Sequence, residues 1–323
     1  MVRVTGYDVV VIGGGSAGLS GAVALARSRR SVLVVDSGDP RNRPAAGVHG
    51  YLGREDASPT DLLASGRAEL ESYGGVVRSG TVTSAHRADD AGFVVEIDGS
   101  APVRARRILL TTGLVDELPE VPGLREHWGS DVVHCPYCHG WEVRDLPIGV
   151  LATGPMAVHQ ALMFRQLSAD VVLLTHEQPL PPAEELAKLA AMNVPVIEGR
   201  VAALLDGPDG ALAGVRMADG RELSRRVVAV ASRMVARSAV ADGLGLVAEP
   251  HPMGGWIGMQ IPVDPMGRTS VPGVFAAGNV TDLQAQVVVA AGQGLKAGAM
   301  INADLIEEDV AAAAQRVAER TAV

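Results

Sequence analysis

Between Tyr7 and Asp36 the order of residues leaves few choices of fold. Tyr7–Ile12 (YDVVVI) is a short continuous apolar run that opens onto Gly13-Gly14-Gly15-Ser16-Ala17-Gly18. An Ala/Leu-rich stretch of helical character, Leu19–Arg29, follows, then a second apolar run, Ser31–Val35, ending at Asp36. Strand, glycine turn, helix, strand and acid in this order spell one βαβ unit of a parallel sheet. Gly13 permits the tight turn, Gly15 lets backbone approach a pyrophosphate, and Gly18 lets the helix pack on the strand. The start of the helix offers unpaired N–H groups and the positive end of its dipole to phosphate. Asp36 stands where a carboxylate accepts from a ribose hydroxyl, and it would repel a 2′-phosphate. The ligand of this unit is therefore FAD or NAD. A lone GxGxxG is a weak signal, but here strand, helix and acid all fall in place.

The same order recurs further on. A Pro/Gly/Arg-rich loop, Gly38–Gly53, leads to a helix start at Ser58-Pro59-Thr60-Asp61. β-type runs follow at Val76–His86, Gly92–Ile97 and Val103–Leu110, the last ending in Thr111-Thr112-Gly113. Ile148–Leu151 then repeats the short apolar run, and Ala152-Thr153-Gly154-Pro155-Met156-Ala157 takes the place of the glycine turn. A helical stretch to Leu167, a strand at Val171–Leu174 and β-type runs at Val194–Leu205, Leu212–Met217 and Val227–Ala231 complete the second copy. The tail returns to an Ala-Gly pattern at Val274–Gly278. A long helix follows from about Leu283, whose Ala-rich continuation Glu307–Thr321 is expected to be exposed. The fold class is α/β, with two Rossmann-like nucleotide-binding lobes and β-meanders, the first lobe split and the second inserted into it. A length of 323 residues accommodates both.

Composition removes several classes of partner. Twenty-eight basic against thirty-seven acidic side chains give a net charge of −9, which argues against nucleic acid or an anionic membrane. Nearly all positive charge is arginine, the lysines being Lys188 and Lys296. Aromatic residues at 3% are too few for base-stacking platforms. Met1–Thr5 leads straight into a strand with no signal segment, and the apolar stretches fall short of a membrane span. A soluble, cytoplasmic protein is expected.

Both cysteines lie in His134-Cys135-Pro136-Tyr137-Cys138-His139-Gly140. A CxxC closes a small ring easily, and local electrostatics can bring one thiol towards reactivity near neutral pH. Zinc would need His134 and His139 as its third and fourth ligands from six consecutive residues, a tight wrap for a tetrahedral ion. No metal is expected, and redox work is favoured over inert buried thiols. The flanking histidines are candidates for holding a thiolate or moving its proton.

Together these segments resemble the low-molecular-weight thioredoxin reductase-like branch of the FAD-dependent pyridine nucleotide–disulfide oxidoreductases. The resemblance is carried by VVVIGGGSAG with Asp36, Thr111-Thr112-Gly113, CPYCHG and VPGVFAAGN (Val271–Asn279). It implies FAD in the first lobe (1–114 and 241–323) and an NAD(P)-like lobe, 115–240, that carries the CxxC. The implied flavin-site residues are Gly13, Gly15, Ser16, Ala17, Gly18, Asp36, Ser37, Asn42, Val82, Thr112, Gly113, Gly278, Asn279, Gln286 and Val287. Asn279 replaces the family's usual aspartate beside the ribityl chain, and Gln286 matches a glutamine near the flavin ring. The resemblance further implies that Cys138 meets the flavin and Cys135 the substrate. His139 occupies the position of the family's usual acid, with His134 and then Asp282 as further candidate bases. Tyr137 and Trp141 are candidates for lining an apolar substrate pocket.

The second lobe departs from the family. GxGxxA has become Ala152-x-Gly154-x-x-Ala157. Pro155 removes an N–H from the helix start, and Thr175-His176-Glu177-Gln178 supplies no arginine for a 2′-phosphate. The second turn is therefore expected to be degenerate as a nicotinamide site. CPYCHG and GN in place of GD resemble the dithiol oxidases of holomycin- and gliotoxin-type pathways. The implied reaction closes a disulfide in a small natural-product dithiol and passes electrons through Cys135, Cys138 and FAD to O2. A homodimer is implied as well. The alternatives are a thioredoxin-disulfide reductase fed by NAD(P)H or another donor, and a flavin-bearing redox sensor or binding protein.

Overall fold

A computed structural model describes residues 6–89, 91–237 and 239–321; Met1–Thr5, read above as leading into the first strand, lies outside the described residues. The first unit begins with β1 (Gly6–Ile12), α1 (Ser16–Arg27), β2 (Val32–Asp36), α2 (Pro59–Ser72), β3 (Val76–Ser79), β4 (Val82–Arg87), β5 (Phe93–Ile97) and β6 (Val103–Leu110). The strands run in the order β3-β2-β1-β6-β5-β4. β1 lies parallel to β2 and β6, with Val9–Ile12 aligned on Val32–Val35, while β4, β5 and β6 form an antiparallel meander. Val9 and Val11 pack towards α1, and Val10 and Ile12 join the cluster on the opposite face. Over Val9–Ile12 and Val32–Val35 both faces are covered and no side is left for polar residues, so the sequence is apolar without a break there.

The chain leaves this sheet through β7 (Leu114–Glu117) and continues as β8 (Val132–Val133), α3 (Pro136–His139), β9 (Ile148–Leu151), α4 (Ala157–Arg165), β10 (Val171–Leu174) and α5 (Ala183–Ala191). β11 (Val196–Ile197), β12 (Val201–Asp206), β13 (Leu212–Met217), β14 (Glu222–Ser224) and β15 (Val227–Val230) follow. Five strands in the order β11-β10-β9-β15-β8 are all parallel, and β12-β13-β14 is an antiparallel meander. The return runs through β16 (Arg233–Ala236), α6 (Ala239–Gly243), β17 (Glu249–Pro250), β18 (Gly258–Gln260) and β19 (Val274–Ala276). β19 joins the first sheet beside Ile108–Leu110 of β6, and a 3-10 turn at Gly278–Val280 leads to α7 (Val287–Thr321).

Contacts group the chain into two units. One holds the residues up to Arg43, Pro59–Val115 and those from Met234 on; the other holds Pro44–Ser58 and Asp116–Arg233. The chain thus passes between units at 115/116 and 233/234, where 114/115 and 240/241 were expected. The excursion Pro44–Ser58, expected within the first lobe, groups with the second; a Cβ on Gly129 would lie 2.7 Å from the Pro44 side chain. Two expected runs are each split by a glycine in the left-handed region. Gly80 (φ 155°) separates β3 from β4, and Gly199 (φ 113°) separates β11 from β12. α4 stops at Arg165, short of Leu167, and α7 starts at Val287, later than Leu283.

α1 and α7 pack almost backbone to backbone. A Cβ on Gly294 would collide with the Ala17 carbonyl, and one on Gly298 would lie 3.0 Å from Gly21 Cα. Arginines then grip α7: Arg106 binds Glu308 (2.7 Å) and Asp309 (2.6 Å), Arg107 binds Asp304 (2.5 Å), and Arg30 binds Asn302 (2.8 Å). Beyond Asp309 the helix continues exposed to Thr321, as expected. Among the described residues no helix is long and apolar enough to cross a membrane.

Candidate functional site

The turn after β1 has the features of a diphosphate cradle. Gly13 takes φ 105°, and a Cβ there would run into the Thr111 carbonyl; a Cβ on Gly18 would run into the Gly13 carbonyl. Thr111 secures the turn by donating its hydroxyl towards the Ile12 (3.0 Å) and Gly13 (2.8 Å) carbonyls. A Cβ on Gly15, by contrast, would meet nothing within 4 Å, so the space before the helix is open. The Leu19 N–H bonds the Gly15 carbonyl at 2.9 Å, so the amides of Ser16, Ala17 and Gly18 precede the helical ladder and point their dipoles into that space. Asp36 closes one end: its Oδ1 accepts the Gly14 N–H at 3.0 Å, and its Oδ2, 4.0 Å from Arg67 Nη1, has lone pairs for a ribose hydroxyl. Ser37 is exposed and Asn42 half-buried in the loops beyond Asp36, while Val82 is buried at the start of β4.

Near the second end of the cradle, Gly278 (φ 79°) lies so close to α1 that a Cβ would stand 2.9 Å from that of Ala17. Asn279 points its Nδ2 at the carbonyls of Asp282 (3.1 Å), Leu283 (3.3 Å) and Ala285 (2.9 Å). The two N–H groups of this amide are shared among the three carbonyls, a donation no carboxylate can make, which gives a physical reason for asparagine where the family usually has aspartate. An Asn279→Asp variant is expected to lose about 1–3 kcal/mol through carboxylate–carbonyl repulsion and unpaired acceptors, and to retain less flavin. Differential scanning calorimetry and the flavin-to-protein absorbance ratio check this; an unchanged Tm would contradict it. Gln293, absent from the sequence-based set, donates to Asp282 Oδ2 (2.8 Å) and accepts the Gly278 N–H (3.1 Å). Asp282 also accepts the Gln284 N–H (3.2 Å), so its carboxylate is committed to this loop. Thr112 donates to the Arg237 carbonyl (2.9 Å), Gly113 has φ 72°, and Gln286 and Val287 lie half-buried where α7 begins.

In the other unit, Cys135 is the N-cap of α3, a single turn with Pro136 in its first position, where a missing N–H costs nothing. The Cys138 and His139 N–H groups both bond the Cys135 carbonyl at 3.2 Å, which holds the two cysteines on one turn. Both are half-buried. His139 has both ring nitrogens buried with no hydrogen-bond partner, and burial pushes its pKa below the usual imidazole value. It is therefore held as a neutral base. His134 differs: its Nδ1 lies between the Val230 carbonyl (3.2 Å) and the Ser232 N–H (3.3 Å), and its own carbonyl accepts from Gln160 (3.0 Å). That ring is tied to the backbone of the strand end. Tyr137 (73% exposed) and Trp141 (66%) stand outside the core, with Arg144 stacked 4.2 Å from the Trp141 ring centre.

The second turn differs from the first in its helix start and its free amides. In the alignment of Ala152 on Gly13, α4 starts at Ala157, two residues later than α1 does at the corresponding place. Of the three amides matching Ser16, Ala17 and Gly18, Pro155 has no N–H, Met156 precedes the helix, and Ala157 donates to the Gly154 carbonyl (3.2 Å). Thr175, at the acid position, is buried and accepts the Gly199 N–H on its hydroxyl (3.2 Å). His176 (φ 53°) accepts the Val201 N–H on Nδ1 (3.2 Å), and Glu177 pairs with Arg200 (3.3 Å). The hydroxyl of Thr175 and one oxygen of Glu177 are thus engaged within this unit.

Residues 7–294 match the pyridine nucleotide-disulphide oxidoreductase family. The chain belongs to it. A curated relative, the thioredoxin reductase tcpT of Claviceps purpurea (strain 20.1), is 31% identical over 310 residues, covering 93% of this chain and 95% of that protein. The crystal structure of HlmI is 47% identical with a TM-score of 0.89, covering 98% of each chain. A putative thioredoxin reductase TrxB from Bacillus anthracis is 28% identical with a TM-score of 0.85, covering 94% of this chain and 99% of that one. This pyridine nucleotide-disulphide oxidoreductase is a thioredoxin reductase-like, FAD-dependent enzyme acting on sulfur groups. Its first turn fits that cofactor, since the open face at Gly15, the three leading amides and Asp36 suit a diphosphate and a ribose without 2′-phosphate.

Sequence reasoning missed a further histidine. His49 lies in the Pro44–Ser58 excursion, with Nδ1 2.8 Å from Glu55 Oε1 and Nε2 3.6 Å from Glu142 Oε1. His49, Glu55 and Asp56 bring ligand-type atoms within 4.8 Å of one another, a grouping that the His49–Glu55 hydrogen bond accounts for. The signal was a histidine followed by two acids in a segment whose glycines and arginines read as linker.

Proposed function

We propose that this enzyme is a dithiol oxidase that closes a disulfide in a small dithiol and delivers the electrons to dioxygen. The observation that carries this reading is the contrast between the two turns: the first keeps its phosphate cradle and the second has lost its own. A CxxC with a neutral, buried histidine beside it remains as the site where sulfur reacts. The proposed flavin-site residues are those set out above, with Gly13, Gly15, Gly18 and Asp36 forming the cradle. Resemblance to the holomycin- and gliotoxin-type branch supports a natural-product dithiol as substrate.

In the cycle, one substrate thiolate attacks Sγ of Cys135 in a Cys135–Cys138 disulfide, and Cys138 leaves as a thiolate. The second substrate thiol loses its proton and attacks the mixed disulfide at the substrate sulfur. The substrate leaves as a disulfide, and Cys135 and Cys138 hold its two electrons. His139 is placed on the same turn to accept the proton from the attacking thiol, a contribution of about 10²–10⁴ in rate for a positioned base. His134, held by backbone, orients the segment. Tyr137 and Trp141 offer an apolar face for the substrate. Bound FAD supplies the two-electron acceptor that restores the disulfide, with O2 as the final acceptor and H2O2 as product. The same reading places the enzyme in the cytoplasm as a homodimer.

Oxygen uptake with a simple dithiol tests the proposal. The expected result is one H2O2 per disulfide formed, over many turnovers per flavin. No uptake, or turnover only when NAD(P)H and a protein disulfide are supplied, would replace it with the reductase reading. A single turnover would leave a redox sensor.

A further inference from the structure

The loop around His49 is built to hold that ring in one place. Val48 donates its N–H to the Ala57 carbonyl at 2.9 Å, and the two residues form an antiparallel bridge across the loop. Asp56 takes a left-handed backbone (φ 58°), uncommon for a residue with a side chain, and this brings Glu55 and Asp56 back over His49. His49 Nδ1 is 2.8 Å from Glu55 Oε1 and 3.5 Å from Asp56 Oδ1, and Glu55 Oε2 accepts the Gly50 N–H at 3.0 Å. The imidazole is largely buried, whereas the Glu55 and Asp56 carboxylates reach into water. Its other nitrogen faces Glu142, three residues beyond His139. His139 is the buried ring with no partner on either nitrogen.

We infer that Glu142 and His49 are positioning residues for His139: the Glu142 carboxylate, held by His49, is the counter-charge for a proton on the otherwise unpartnered ring. This role presupposes His139 as the base proposed above. A neutral imidazole in a pocket without acceptors takes up a proton only if an anion is near enough to stabilise the cation. Glu142 is that anion. His49 sets how much of it is available, because a cationic His49 draws on Glu142 and repels a second positive charge. Burial is the largest influence and lowers the His139 pKa, while Glu142 acts to raise it and His49 to lower it. His49 is itself held above the usual imidazole value, chiefly by its hydrogen bond to Glu55, with Glu142 and Asp56 adding to it against burial. It therefore stays cationic further into the neutral range than a free histidine. Cys135, Tyr137 and Cys138 are the other titratable groups on the same turn.

The signs make the test sharp. Glu142→Gln removes the anion, so His139 must lose its proton at lower pH. His49→Gln removes the cation and leaves Glu142 uncommitted, so His139 must lose its proton at higher pH. NMR titration of the His139 ring in the full FAD-loaded chain, assigned with His139→Asn, reads both directly. Glu142→Asp keeps the charge and should stay close to wild type, and flavin absorbance with far-UV circular dichroism reports that each variant is folded. Opposite shifts support the coupling; shifts in the same direction, or none, overturn it. The pH profile of dithiol-driven flavin bleaching, measured on the same variants, tests the presupposition separately. Opposite NMR shifts with an unmoved profile would sustain the coupling and overturn instead the assignment of His139 as the base.

Discussion

Replacing Cys138 by serine is expected to give a protein that stays yellow but is no longer bleached by a dithiol. Cys138 lies at the third position of the α3 turn and is not one of the Gly13–Gly18 and Asp36 groups that form the cradle. Serine keeps the size and the N–H to the Cys135 carbonyl, so the turn is preserved. What is lost is the thiolate that must leave when substrate attacks Cys135 and must carry electrons onward. An alkoxide is far too basic to serve, and removing a covalent participant costs at least about three orders of magnitude in rate. Anaerobic stopped-flow with a dithiol measures it as loss of flavin absorbance. Cys135→Ser should fail as well, since Cys138 alone forms no disulfide for the substrate thiolate to attack. Bleaching of Cys138→Ser at the wild-type rate would remove the cysteine pair from the electron route.

The cradle gives the second large effect, as a contrast between neighbouring glycines. Gly15 has φ −74° and open space where its Cβ would stand, so alanine there strains nothing in the polypeptide. The cost to folding is that of a poorer N-cap, about 1 kcal/mol or less. The methyl group occupies the space assigned to the diphosphate, so FAD affinity should fall at least about tenfold, or about 1.4 kcal/mol. Gly18 is the reverse. Its Cβ would overlap the Gly13 carbonyl, so helix and strand must separate, and about 3 kcal/mol or more of stability should be lost before any flavin binds. Calorimetry of the apo-proteins together with flavin titration separates the two. If Gly15→Ala kept full affinity, the diphosphate would lie elsewhere.

Much of the fold could be read from the chain because buried parallel strands advertise themselves. Val9–Ile12, Ile148–Leu151 and Val171–Leu174 are unbroken apolar runs, and the structure buries each as strand. The breaks at Gly80 and Gly199 were hidden, because one glycine inside an apolar run looks the same whether it bends the chain or sits flat. The α5 helix at Ala183–Ala191 went unread between two better signals. At the site, Gly13, Gly15, Gly18, Asp36 and the CxxC declare themselves by spacing. Asn279 was legible only as a departure from a family; its reason, three carbonyls converging on one amide, is a property of the folded loop. His49 was invisible for the same reason. Its partner Glu142 is 93 residues away in sequence, and local pattern says nothing of such pairs.

The most direct measurement takes the oxidised, FAD-loaded enzyme under strict anaerobiosis and adds a dithiol in one cuvette, NADPH in a second and NADH in a third. Sulfur as the entry port and a dismantled second turn require that the dithiol alone bleaches the flavin within the dead time of manual mixing, and that admitting air restores the colour with one peroxide per flavin. Rapid bleaching by either nicotinamide, with the dithiol cuvette left yellow, would contradict the account.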